Sequence, residues 1–271
     1  MKKIKIINSK INFFLENIKK NNISEFAAQG AYYIILSFIP FIILLLTLIQ
    51  YLGIDKENLY LIIKTIIPNS MNETILGIIQ EVYSKSIGTI SISIIFVLWA
   101  SGKGFYSLCK GMLEIYDVRE KPTYIILKIK SSIYTLGLII LIILALVLMV
   151  FGKSLVTFLK IRFNYAINIF NFILKFSDII VTIGLFIFLL LVYKFIPQNK
   201  NKFKHQIPGA IIASIGWVLI SKTFSVYLTL FKGFSIMYGS LTTIVLIMMW
   251  VYFCMYIILV GAQINNLIEK K

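Results

Sequence analysis

Histidine occurs once in these 271 residues, at His205, and cysteine twice, at Cys109 and Cys254. A metal site built from clustered His and Cys ligands is excluded by these counts, and a Ser-His-Asp set could use only that imidazole. Both cysteines stand in apolar surroundings, which excludes a disulfide framework and leaves them as small hydrophobes. Charge is scarce as well: 14% of residues are Asp, Glu, Lys or Arg, where soluble domains carry about 25%. From Gly233 to Ile268 there is no charged side chain at all. Arginine is nearly missing, since among 27 basic residues only Arg119 and Arg162 are Arg. Phosphate-reading surfaces favour the bidentate Arg fork, so a net charge of +16 does not by itself imply a nucleic-acid partner. Of the 11 carboxylates, Asp178 alone borders an apolar stretch, so an acid/base pair for an enzyme acting on lipid is missing. The "GKG" at 102–104 lacks the rest of a phosphate loop, and no cofactor is expected.

What is present in quantity is apolar surface: 59% of residues are hydrophobic and the mean hydropathy is +0.90. A membrane-spanning helix needs ~20 mostly apolar residues. Six stretches qualify, at about 27–51, 86–108, 131–152, 177–196, 208–231 and 237–265. The expected fold is therefore all-α: one integral membrane domain over 1–271, built as a bundle of six transmembrane helices.

Lysines fix the expected orientation. Most of the basic residues, from Lys2 through Lys103, Lys110, Lys128 and Lys204 to Lys271, fall on the side that holds both termini. The positive-inside rule makes that side cytoplasmic. Ile4, Ile7, Ile11, Phe14 and Ile18 recur at steps of three and four. That spacing predicts an amphipathic helix over 1–20, lying on anionic headgroups of the cytoplasmic leaflet. Asn22 and Glu25 resemble a capping box for the helix that follows. Residues 56–67 and the stretch after Ser70 and Glu73 read as two short helices in the first outer loop, and 155–176 as interfacial.

Two places carry polar groups inside apolar stretches. Lys222 lies 15 positions into the fifth stretch counted from Pro208, and an ionisable group at depth is a functional candidate. Ser214, Ser221 and Ser225 share an arc of about 100° with it, while Gly209, Ala213 and Gly216 lie opposite, where a neighbouring helix can come close. The sixth stretch opens on "MYGSLTT", where Tyr238, Gly239, Ser240 and Thr243 suit an irregular or ligand-facing helix start. Gln263 and Asn265 are the polar positions at its other end.

Four segments occur in order: "AAQGAYYIILSFIPFIILLL", "LWASGKGFYSLCKGMLEIYDVREKP", "IPGAIIASIGWVLISKTFSVYL" and "MYGSLTTIVLIMMWVYFCMYIILVGAQIN". Together they resemble the YihY/BrkB family of bacterial inner-membrane proteins over most of the chain. The resemblance implies six transmembrane helices, a link to virulence and serum resistance, and transport of lipid or envelope material. Many members of that family carry Glu where Gln263 follows Gly261 and Ala262, so a proton relay at that position is not open to this chain. A ribonuclease label once attached to the family finds no metal-binding cluster here. The expected activity is transport or flipping of a lipid, envelope precursor or small solute, with a non-catalytic scaffold for envelope-assembly partners as the alternative. Expected partners are membrane lipids, and either further copies of the chain or envelope proteins. The expected location is the bacterial cytoplasmic membrane.

Overall fold

The computed structural model describes residues 12–51, 77, 80, 102–118, 122–149, 175–197, 203–230 and 240–270. Those residues form seven helices and no strand. They are α1 (12–20), α2 (Ile23–Tyr51), α3 (102–115), α4 (Tyr124–Met149), α5 (Ser177–Phe195), α6 (Phe203–Leu230) and α7 (Ser240–Glu269). Four of them are long and apolar enough to cross a membrane: Tyr124–Ile142, Ser177–Phe195, Phe203–Tyr227 and Ile244–Glu269. The expected outer-loop helices, most of the second stretch and of 155–176, and residues 1–11 lie outside the described residues.

The helices form an arc around a central one. Contacts run from α2 to α7, α7 to α6, α6 to α5, and α5 to α4. Inside the arc stands α3, whose Phe105, Leu108, Cys109, Met112, Leu113 and Ile115 are all buried. It can sit there because Gly102, Gly104, Ser107, Cys109 and Gly111 keep it narrow, so neighbours close in on every side. Gly104 faces Gly30 and Ile34 of α2, Gly111 faces Phe26 and Leu259, and Phe105 packs on Tyr134 of α4 and Phe188 of α5. The outer faces are the reverse. Ile125, Ile129, Ile133 and Ile140 of α4, Ile183 and Ile187 of α5, and Ile211, Ile215 and Leu219 of α6 are exposed, as a lipid solvent permits.

Helix ends differ from the sequence expectation in instructive ways. Asn22 has φ 49° and its N–H donates to Lys19 O, so it closes α1 in the left-handed conformation that Asn tolerates. Its backbone carbonyl, not its side chain, then receives the N–H groups of Glu25 and Phe26. An N-cap residue sits in extended backbone, so the capping-box reading is corrected. In α1, Phe14 and Ile18 are half-buried, while Phe13 and Leu15 are exposed. At the end of α3, Asp117 (φ 52°) donates to Glu114 O and Val118 donates to Leu113 O. That pair of bonds is a Schellman closure with Asp in place of the usual Gly.

Helix starts also shift. α4 begins at Tyr124, ahead of residue 131, because Lys128 and Lys130 are accommodated inside its first turns. α6 begins at Phe203, ahead of residue 208, so His205 is helical and Pro208 lies inside the helix. α7 begins within "MYGSLTT" at Ser240.

Candidate functional site

Pro208 lacks an N–H, and its ring crowds the carbonyl four residues back, so a helix that carries it needs outside help for nearby backbone groups. Asn265 of α7 supplies that help to α6. Its Oδ1 accepts the Gly209 N–H at 2.7 Å, and its Nδ2 donates to Gln206 O at 3.1 Å. One side-chain amide thus clasps the α6 backbone on either side of the proline. The clasp needs close backbones, which two glycines provide. A methyl group built on Gly209 would collide with Gly261 O and with the Asn265 amide, and one built on Gly261 would lie 2.5 Å from Tyr193 Oη and 2.7 Å from Gly209 O.

Further bonds spread from this crossing. Tyr116, just past α3, donates its hydroxyl to Gln206 Oε1 at 2.7 Å. Tyr193 of α5 donates to Ile258 O at 2.7 Å. Asn266 donates to Ile115 O, one of the last carbonyls of α3, and Asn21 donates to Gln263 Oε1 at 2.6 Å. Three amides within four residues of α7 therefore each hold a different element: Gln263 the α1–α2 turn, Asn265 the proline turn of α6, and Asn266 the end of α3. Gln206, Gln263 and Asn265 are fully buried. Among the described residues the Nε2 atoms of Gln206 and Gln263 are buried with no hydrogen-bond partner. Burial pushes the Tyr116 phenol well above its ordinary range.

The sequence candidates separate accordingly. Gln263 and Asn265 enter this hub. Ser214 is buried and bonds its own Ile211 O at 3.1 Å, while Ser221 accepts from Trp250 Nε1 at 3.2 Å. Lys222 and Ser225 are exposed. The arc that was expected to present one polar face is thus divided, because α6 packs on both α5 and α7 and so buries two sides rather than one. Gly209, Ala213 and Gly216 do meet a neighbour: Ala213 is fully buried, and a methyl on Gly216 would lie 2.5 Å from Ile257. The backbone at Ser240 and Thr243 is helical, and Tyr238 and Gly239 lie outside the described residues.

Sequence reading did not single out Tyr116, Tyr193, Gln206, Asn21 or Asn266. The available signal was Pro208–Gly209 inside a helix together with a run of uncharged amides, Gln263-Ile-Asn-Asn266, ending an apolar one. Four cations rest on rings near the same end or on the way to it: Lys103 on Tyr33 (5.2 Å), Lys110 on Tyr106 (5.1 Å), Lys128 on Tyr124 (5.8 Å) and Lys194 on Phe203 (5.4 Å). Aromatic rings with cationic neighbours suit a headgroup boundary. Among the described residues no group of three His, Cys, Asp or Glu could hold a metal ion.

Apolar outer faces, several helices of spanning length and a buried amide hub define a helical integral membrane protein. Within that class the chain belongs to the family described as Virulence factor BrkB, whose pattern it matches over residues 14–271. It is 30% identical over 249 residues to the ribonuclease-like protein YfkH of Bacillus subtilis, covering 90% of each chain. It is 24% identical to UPF0761 membrane protein VV0203 of Vibrio vulnificus, covering 96% of this chain and 82% of that one. No solved structure matches.

Proposed function

We propose that this protein moves a lipid or other amphiphile across the membrane along its outer boundary with lipid, rather than through an enclosed channel. The observation that carries this reading is Lys222, exposed on α6 within an otherwise apolar outer face and beside the exposed Thr223 and Ser225. A cation facing lipid at that depth is costly unless it attracts polar headgroups inward. The other sides of α6 are closed against α5 and α7, so a headgroup would follow the outside while its acyl chains stay in the bilayer. The architecture proposed with it has six crossings, from the six apolar stretches, and both termini in the cytoplasm, from the lysine distribution; a non-enzymatic role is proposed with it because the sequence offers no acid/base pair beside an apolar stretch. The ribonuclease-like name of the Bacillus relative finds no catalytic group in this reading.

Reconstitution into vesicles that carry a trace of fluorescently labelled phospholipid tests the proposal, with dithionite quenching of the outer leaflet as the readout. Wild type is expected to expose inner-leaflet label, and Lys222→Met to slow that exposure several-fold. Equal rates in empty vesicles, wild type and Lys222→Met would sink the transport reading. That result would favour the scaffold alternative, for which the exposed isoleucines along α4 offer a docking face.

A further inference from the structure

A groove of about 690 Å³ opens between α1, the α1–α2 turn and the middle of α7, a size that suits a small-molecule or headgroup site. Its lining is of three kinds. Leu15, Ile18 and Ile23 form an apolar wall. Tyr252, Phe253 and Tyr256 form an aromatic one, with the Tyr252 ring centroid 5.3 Å from that of Phe253 and 6.0 Å from that of Tyr256. The rim carries Lys19, Asn22, Ser24 and Glu25, and the Ser24 hydroxyl lies 2.8 Å from that of Tyr252.

Lys19 and Glu25 are both exposed and stand on opposite sides of the turn, one ending α1 and the other in the first turn of α2. A ligand that satisfies both carries an anion and a cation in one headgroup, joined to an apolar body for Leu15, Ile18 and Ile23. The aromatic wall adds a second feature that favours a cation, because ring faces attract ammonium groups. The hydroxyls of Ser24 and Tyr252 and the Glu25 carboxylate are acceptors for N–H groups.

We infer that this groove holds a phospholipid with a primary-amine headgroup, phosphatidylethanolamine, its phosphate toward Lys19 and its ammonium toward Glu25 and the rings. Phosphatidylglycerol could give its phosphate to Lys19 but brings no ammonium to pair with Glu25 and the rings. Phosphatidylcholine offers no N–H to the oxygen acceptors. Free phosphoethanolamine has the charges but nothing to cover the apolar wall. The left-handed turn at Asn22 matters here, since it folds α1 back so that Lys19 and Glu25 share one rim. This site does not rest on the boundary-transport reading, because a lipid held here need not cross the membrane.

The test uses the full chain in nanodiscs of equal parts phosphatidylethanolamine, phosphatidylglycerol and phosphatidylcholine, with native mass spectrometry of the lipids retained after partial delipidation. Wild type is expected to retain phosphatidylethanolamine several-fold over the other two. Glu25→Lys, a change at an exposed position, should shift retention toward phosphatidylglycerol, and Tyr252→Leu should weaken retention of the amine lipid. Equal retention of the three lipids by wild type overturns the assignment. So does a preference that Glu25→Lys leaves unchanged. Loss of dithionite-detected flipping with this preference intact would remove the transport reading alone.

Discussion

Replacing Asn265 with Ala removes both halves of the clasp on α6. The Gly209 N–H and the Gln206 carbonyl lose their partner at 2.7 and 3.1 Å, in a place where Gln206 and Asn265 have no solvent exposure. A buried polar group stripped of its partner costs about 1–3 kcal/mol, so two give about 2–6 kcal/mol. Hydrogen bonds inside bilayers average less, about 0.6 kcal/mol each, because alternative partners are found. The higher figure is the relevant one here, since Gln206 and Asn265 are fully buried and the side-chain oxygens of Gln206 and Gln263 already have partners of their own. At about 2–4 °C per kcal/mol for a chain of this size, the melting temperature should fall by at least about 4 °C. The protein supplies its own probe: Cys109 and Cys254 are both buried, so a thiol-reactive fluorophore reports unfolding on heating in detergent. Asn265→Asp separates hydrogen bonding from size, because it keeps an oxygen for Gly209 but turns one toward Gln206 O; it should be no more stable than the Ala variant. Asn17→Ala, which removes an exposed local bond to Phe13 O, serves as the control and should leave the midpoint in place. A shift under about 2 °C for Asn265→Ala would refute the reasoning.

Two further outcomes follow from the same hub. Gly261→Ala pushes a methyl group against Tyr193 Oη and Gly209 O, so α6 and α7 must separate; size-exclusion profiles of detergent extracts should show loss of the monodisperse peak, whereas Gly77→Ala, where a methyl meets nothing within 4 Å, should not. For Tyr116 the sign is set by burial, which raises the folded-state pKa above the unfolded value of 10.0. The stabilisation from the neutral phenol is therefore fully present below about pH 10 and lost as pH rises through the higher folded value. Melting temperatures taken from pH 8 to 11 should fall more steeply above pH 10 in wild type than in Tyr116→Phe.

The helical class was legible because period and apolar content act over twenty residues at a time, and no single side chain decides them. Helix ends were less so. Asn22 followed by Glu25 has the composition of a capping box, yet the same Asn serves equally well as a left-handed terminator, and the choice depends on α1 folding back onto α7. Lys222 shows a second limit. Its angular position relative to Ser214 and Ser221 was readable, but how wide an arc of α6 is buried depends on whether one or two neighbours pack on it. Gln263 and Asn265 stood out as polar groups in apolar surroundings. Their partners did not, because Asn21, Tyr116 and Gln206 lie 59 to 242 positions away in the pairs they form and are ordinary residues at helix ends.

Chain order gives the amide run of α7 a consequence for biogenesis. α7 leaves the ribosome after α1, α3 and α6, yet it is the one that ties the α1–α2 turn, the proline turn of α6 and the end of α3. Until it arrives, the backbone carbonyls of Gln206 and Ile115 stand without the amides of Asn265 and Asn266. A nascent chain stalled or truncated before residue 263 would leave the α1–α2 turn, the proline turn of α6 and the end of α3 untied at one time, a signature by which membrane quality control could distinguish an unfinished copy from a finished one.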